Sequence, residues 1–129
     1  MNIKIIEPSG MFYDGEGHFL EFTSVTGRMG VYENHIPLTT ILEPCVMRIH
    51  NGTEIKTAAV LGGFVEVQKD HITVLAEDAN WPEEIDVERA KAAKVRAEER
   101  LAGKDANIDV LRAELALKRA IARIGATEK

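Results

Sequence analysis

A chain of 129 residues that is 45% hydrophobic and 29% charged has room for one full core and an appendage, but not for two large domains. It has no apolar run of about 18 residues and no leader-like start, so we expect neither a membrane span nor a secretion signal. Its one cysteine, Cys45, excludes an internal disulfide and is typical of a reducing compartment such as the cytosol.

The net charge of −5 conceals an asymmetry between two parts of the chain. Residues 1–84 carry five Lys or Arg against thirteen Asp or Glu, whereas residues 85–129 carry eleven against eight. We therefore expect the basic tail to meet an anion or an acidic protein surface. Nucleic acid is not an expected partner, because the larger acidic part would repel phosphates.

Residues 1–84 show the short alternating segments of a β domain. The predicted strands are residues 2–6, 18–25, 45–50, 55–61, 64–68 and 72–76. Asp14–Gly17 is predicted to be a turn, Gly27 and Gly30 to bracket a tight reversal, and Asn51-Gly52 to close a hairpin. Parallel pairing would need crossover helices for which there is no room, so the pattern favours an antiparallel sandwich.

This β domain carries few signs of chemistry. The histidines at 18, 35, 50 and 71 lack the spacing of a zinc site, and no phosphate-binding glycine loop is present. Cys45 is better explained as a small buried apolar residue than as a nucleophile. Gly62-Gly63 is interpreted as a bulge or a close backbone approach. We therefore predict no catalytic residue and no metal site.

From residue 85 onward the apolar period changes to that of a helical hairpin. Asp86 is predicted to cap a helix with apolar residues at 90, 93, 97 and 101, and Gly103 to end it. Asp105 or Asn107 is predicted to cap a second helix, with apolar positions 108, 111 and 115 on one stripe and 110, 117, 121 and 124 on the next. This face is too wide for a single partner helix. Because the first helix is rich in alanine, the interface between the two helices should add little stability.

The arginines of the hairpin occupy repeated helical positions. Arg89 and Arg96 share one face of the first helix, and Arg112, Arg119 and Arg123 share one face of the second. In an antiparallel hairpin these guanidinium groups converge, with Arg89 level with Arg119 and Arg96 level with Arg112. They would repel each other when unoccupied and would bind a polyphosphate through charge-assisted pairs. The alternative is that they are solvated surface residues and that Asp86 is only a helix cap.

Two motifs of the β domain resemble a known family. The segment from Gly27 to Leu38, GRMGVYENHIPL, and the segment from Gly62 to Val67, GGFVEV, are similar to those of the epsilon subunit of F-type ATP synthases. The resemblance implies a β-sandwich of about ten strands in residues 1–84, followed by a regulatory antiparallel two-helix hairpin in residues 85–129. Cys45 departs from the family, in which a glycine is expected at that position.

The hairpin also resembles the nucleotide-binding members of that family. Its IDVERA motif, from Ile85 to Ala90, and the segment from Glu114 to Arg123 carry the similarity. By motif position, the resemblance implies ATP contacts at Ile85, Asp86, Arg89, Ala90, Arg96, Arg119 and Arg123, with Ile85 and Ala90 packing on the base. Asn80 stands where the family has an acid, so we expect either weaker affinity or substitution by Glu83.

The resemblance implies a non-catalytic subunit of the central stalk, or rotor, that couples rotation to ion transport. Its partners would be the gamma subunit, the c-ring, and the α and β subunits, at the cytoplasmic face of the cell membrane without insertion. ATP, with or without magnesium, would be a regulatory ligand that controls ATP hydrolysis, and no catalytic cofactor is expected. Three alternatives stay open: a nucleotide hydrolase, a structural rotor subunit whose hairpin does not bind ATP, and a generic helical adaptor.

Overall fold

Eight strands, one short 3₁₀ turn and two helices follow each other along the chain in a computed structural model that describes residues 1–103 and 109–128. The strands are β1 Asn2–Glu7, β2 Gly10–Glu16, β3 Phe19–Ser24, β4 Gly27–Tyr32, β5 Leu38–Asn51, β6 Glu54–Val67, β7 His71–Ala76 and β8 Ala79–Asn80. The 3₁₀ turn is Pro82–Glu84, and the helices are α1 Val87–Ala102 and α2 Val110–Thr127. A β domain followed by a two-helix hairpin is therefore confirmed.

The strands pair in the order β2-β1-β7-β6-β5-β3-β4, with β8 attached to β6. Alternate residues of seven strands point into one shared core, and Phe22, Met47, Val65 and Ile72 are among its fully buried members. The described residues form eight strands, close to the expected number of about ten, and β5 and β6 each continue for 14 residues. The sequence pattern divided β6 at Gly62-Gly63, but the strand continues through this bulge. The predicted Asn51-Gly52 hairpin joins the two long strands.

One strand pair contradicts the prediction that all pairing is antiparallel. β1 and β7 run parallel, with Ile3 opposite Ile72 and Ile5 opposite Val74. A parallel pair needs a long connection, but that connection does not have to be a helix. Here the five strands between β1 and β7 provide it, so the argument from missing crossover helices was wrong for this pair.

Two predicted turns are strands. Asp14 lies within β2, opposite Lys4 of β1, and the chain turns after Glu16. Gly30 lies within β4, where an added Cβ would come within 2.5 Å of the Phe19 ring. Gly30 therefore lies close to an aromatic ring and not at the reversal, which occurs between Ser24 and Gly27.

Cys45 is a buried residue of the sandwich core, with 7% of its surface exposed. The Thr23 amide donates a hydrogen bond to its Sγ at 3.4 Å. Burial raises the pKa of the Cys45 thiol above its ordinary value. A thiol that stays protonated and covered is a poor nucleophile, which agrees with the predicted structural role.

Alkylation of Cys45 by iodoacetamide at pH 8 is expected to be at least about tenfold slower in the native protein than in the unfolded protein. Unfolding removes the burial that raises the pKa and blocks access. Mass spectrometry of samples quenched over time, with and without guanidinium chloride, measures both rates. Equal rates would show that Cys45 is reached by reagent in the native state.

Candidate functional site

Helix α1 begins as predicted. Asp86 is its N-cap, and the Asp86 carboxylate accepts a hydrogen bond from the Arg89 amide at 3.1 Å. Ala90 and Ala97 are buried, which gives α1 a narrow apolar stripe of small side chains. The helix ends at Ala102, with Gly103 as C-cap at φ −73°. Gly103 therefore ends α1 without the left-handed conformation for which glycine is usually selected.

Helix α2 begins at Val110 with Asp109 as N-cap, whose carboxylate accepts from the Arg112 amide at 3.1 Å. The predicted caps, Asp105 and Asn107, and the predicted apolar residue Ile108 lie outside the described residues. Part of the wide apolar face predicted for this helix is in solvent, since Leu111 is 78% exposed. The buried residues of α2 are instead Ala113, Ala120, Ala122 and Ala126.

The alanines of α2 allow the helix to lie directly on the sandwich. Ala122 and Ala126 form one buried cluster with Ala59 and Leu61, which lie on the face of β6 opposite the sandwich core. At Gly125 an added Cβ would come within 3.0 Å of Val46 Cγ2. Because α2 packs on both α1 and the sandwich, the prediction that its face is too wide for one partner is confirmed.

A groove of about 490 Å³ lies between the two helices and the junction with the sandwich. Three separate segments of the chain line the groove. Its lining residues include all seven residues predicted to contact ATP. Its lining residues are Asn80, Glu84, Ile85, Asp86, Arg89, Ala90, Ala93, Arg96, Ala116, Arg119, Ala120 and Arg123. Arg112, predicted to lie level with Arg96, does not line this groove.

The acid that lines the groove together with Asn80 is not Glu83, the one that the sequence suggested. Glu84 lines the groove, whereas Glu83 lines another groove together with Trp81. The one-residue shift follows from the 3₁₀ turn, in which Glu84 accepts a hydrogen bond from the Trp81 amide at 3.0 Å. Glu83 is therefore not placed to substitute for the family's acid.

Arginines of α2 reach from the groove to acids of the sandwich. Arg119 Nη2 lies 3.2 Å from Glu77 Oε2, and Arg123 Nη2 lies 3.3 Å from Asp78 Oδ2. Arg123 Nε also donates to Asn80 Oδ1 at 3.0 Å. The expectation of unrelieved repulsion between the guanidinium groups is thus corrected, because carboxylates of the β domain offset part of the charge.

A third ion pair joins the opposite flank of α2 to the sandwich. Lys118 Nζ lies 3.2 Å from Glu43 Oε2 on β5. The basic helix α2 thus pairs with acids of the β domain in the same chain, as the opposite charges of the two parts favour. Within residues 1–103 and 109–128, no ion pair involves Arg89 or Arg96 of α1.

Sequence reasoning missed Glu77 and Asp78 as neighbours of the site. They precede Asn80 by three and two positions, in the segment that leads from β7 into the helices. The strongly acidic charge of residues 1–84 was the available signal, but it does not identify which acids face the helices.

Neither helix in the described part of the chain combines the length and apolar character that crossing a membrane requires. The same residues contain no group of three or more His, Cys, Asp or Glu side chains arranged to hold a metal ion.

Similar folds occur in solved ATP synthase structures. A chain of the Euglena gracilis mitochondrial ATP synthase, in a structure of OSCP, F1 and the c-ring, has a TM-score of 0.81 and 20% identity. The match covers 93% of this chain and 76% of that one. A chain of the Tetrahymena thermophila mitochondrial ATP synthase central stalk and c-ring has a TM-score of 0.63 and 18% identity, with coverage of 99% and 96%. At these identities the likeness establishes the fold.

Sequence relatives extend over nearly the whole chain. ATP synthase epsilon chains from Halalkalibacterium halodurans and Desulforamulus reducens are 43% and 44% identical to it, and the matches cover 96% and 98% of this chain and 94% and 96% of the relatives. Residues 1–82 match the β-sandwich domain of the ATP synthase delta/epsilon chain, and residues 83–128 match its long α-helix domain. On this agreement of both halves, the chain belongs to the delta/epsilon-chain family of ATP synthases.

Proposed function

We propose that the groove between α1, α2 and the sandwich junction binds ATP as a regulatory ligand. The observation that carries the proposal is the convergence of all seven predicted contacts on one groove. These residues come from the segment before α1, from α1 and from α2, so they meet only when the hairpin is folded. A volume of about 490 Å³ also lies within the range of small-molecule sites.

The groove offers different chemistry to the two ends of a nucleotide. Arg89, Arg96, Arg119 and Arg123 would form charge-assisted hydrogen bonds with the phosphates, with or without a bound magnesium ion. Ile85 and Ala90 would supply an apolar wall for the base. Asp86 uses one carboxylate oxygen to cap α1 and also lines the groove, so its second oxygen would be left to accept a hydrogen bond from the ligand.

Family membership supports a role in the rotor of an F-type ATP synthase. The sandwich would dock on the gamma subunit and the c-ring, and the subunit would couple rotation to ion transport without catalysing a reaction itself. The titles of the similar structures describe F1 with the c-ring and the central stalk with the c-ring. In this role the protein is peripheral to the cell membrane, at its cytoplasmic face.

Under this proposal ATP binds only the folded hairpin, because its contacts lie on both helices and on the segment before them. The ligand then stabilises the folded form by RT ln(1 + [L]/Kd), which lowers the population of the extended form. The extended hairpin would place its basic face against the α and β subunits and inhibit ATP hydrolysis. Falling ATP would therefore favour inhibition.

Replacing Arg89 with alanine is expected to raise the Kd for ATP at least about tenfold, because a charge-assisted hydrogen bond to phosphate is lost. Calorimetric titration of the full chain measures the Kd. Lys91→Ala is the matched control, since it removes one positive charge from the same helix at an exposed position outside the groove. An unchanged Kd for Arg89→Ala, or an equal loss in both variants, would place the phosphates elsewhere.

A structural rotor subunit that does not bind ATP is the second candidate. The observation that favours it is that Arg119 and Arg123 already have protein partners in Glu77, Asp78 and Asn80. Under this alternative the arginines serve only to dock the hairpin. The absence of binding heat for the wild-type chain at millimolar ATP would select it.

A further inference from the structure

We propose that Glu77 and Asp78 compete with phosphate groups for the arginines of this groove, and that they lower its affinity for polyphosphates. The inference rests on the proposed function and deepens it, because it names the residues that set how tightly the nucleotide is held. The ligand chemistry is that of a linear polyphosphate with several negative charges.

The competition follows from shared partners. The carboxylates of Glu77 and Asp78 contact Arg119 and Arg123, the two α2 arginines that line the groove. A guanidinium group that pairs with a carboxylate has fewer N–H groups to offer a phosphate. A phosphate bound to the same guanidinium groups would also lie within a Debye length of about 8 Å of the carboxylates, so the two kinds of anion would repel each other.

Backbone hydrogen bonds fix the segment that carries these carboxylates. The Glu77 amide donates to the Gly62 carbonyl at 3.0 Å, and the Leu61 amide donates to the Asp78 carbonyl at 2.8 Å. Asp78 Oδ1 accepts from the Ala79 amide at 3.0 Å, which leaves Oδ2 directed at Arg123. The segment is thus tied to β6 at the bulge, and a ligand cannot displace it at low cost.

Gly62 makes room for the Glu77 carboxylate. Its φ is +103°, and a Cβ at this position would lie 3.1 Å from Glu77 Oε2. The bulge that the sequence pattern indicated therefore supports the segment that faces the arginines. The conformation of β6 at Gly62 thus affects where the negative charge of Glu77 lies relative to the groove.

The test neutralises the carboxylates and preserves their shape. A Glu77→Gln, Asp78→Asn double variant keeps an oxygen acceptor for each arginine but removes two negative charges. We expect the Kd for ATP and for tripolyphosphate to fall about tenfold in calorimetric titrations of the full chain at low salt, with a smaller gain for AMP. Raising the salt concentration should reduce the difference between the variant and the wild type.

Glu43→Gln is the matched control. It also removes a carboxylate of the sandwich that pairs with α2, but Glu43 contacts Lys118 and does not line the groove. Loosened docking would affect both variants, whereas relief of competition would affect only the double variant. Hydrogen exchange of the α2 amides reports docking in each protein.

An unchanged or weaker affinity of the double variant for tripolyphosphate overturns the proposal, whatever the exchange of α2 shows. An equal gain from Glu43→Gln also overturns it, because the effect would then be one of overall charge. If wild type and double variant both fail to bind ATP and tripolyphosphate, the proposed function fails together with the competition. Arginine-dependent ATP binding without a gain in the double variant rejects the competition alone.

Discussion

Replacing Gly63 with alanine is expected to destabilise the sandwich by at least about 4 kcal/mol and to lower its melting temperature by about 10 °C or more. Gly63 has a φ of +120°, and a Cβ there would lie 1.9 Å from the Leu75 carbonyl oxygen on the paired strand β7. The backbone of two central strands would have to separate to admit a methyl group. Thermal and urea unfolding followed by circular dichroism measure the change.

Gly10→Ala separates the two causes of this loss of stability, which are the cost of a positive φ and the clash with the backbone of β7. Gly10 has a similar φ of +133°, but nothing lies within 4 Å of the added Cβ. It should therefore show only the conformational cost of about 1–3 kcal/mol. Equal destabilisation by the two variants would show that β6 and β7 adjust freely at the bulge, contrary to the close approach described above.

Replacing Ala122 with glutamate is expected to detach the hairpin from the sandwich while the sandwich stays folded. Ala122 is buried against Ala59 and Leu61, so a glutamate side chain would overpack this contact. Overpacking costs about 1–3 kcal/mol and desolvation of the carboxylate adds to it, which together exceed what a small alanine interface contributes. Hydrogen exchange should show lost protection of α2 amides with β-strand protection unchanged, and the Kd for ATP should rise at least about tenfold.

Leu111→Glu is the control for this prediction. It introduces the same charge into the same helix at a position that is 78% exposed, so docking and ATP affinity should change little. Comparable loss of α2 protection in both variants would point to a general effect of charge on the hairpin. Retained protection in Ala122→Glu would mean that α2 does not depend on this contact.

The sequence alone determined the division of the chain and the position of the arginines. A change of apolar period from two to 3.6 is a local property, so it separated the sandwich from the hairpin without tertiary information. The Asp86 cap and the faces of Arg89, Arg96, Arg119 and Arg123 follow from helix geometry, which fixes side-chain direction from spacing. The motifs of Ile85–Ala90 and Glu114–Arg123 then placed seven residues that the structure brings to one groove.

Only the tertiary structure decided how distant segments meet. The parallel β1–β7 pair depends on a chain path that no local pattern encodes. The same is true of the pairing of Glu77 and Asp78 with α2, and of the position of Glu84 in the groove. The packed face of α2 is the clearest case. The large apolar residue Leu111 is in solvent, and the residues of α2 that meet β5 and β6 are Ala122, Gly125 and Ala126. Steric fit between two surfaces, and not the apolar character of either one, selected the residues that were buried.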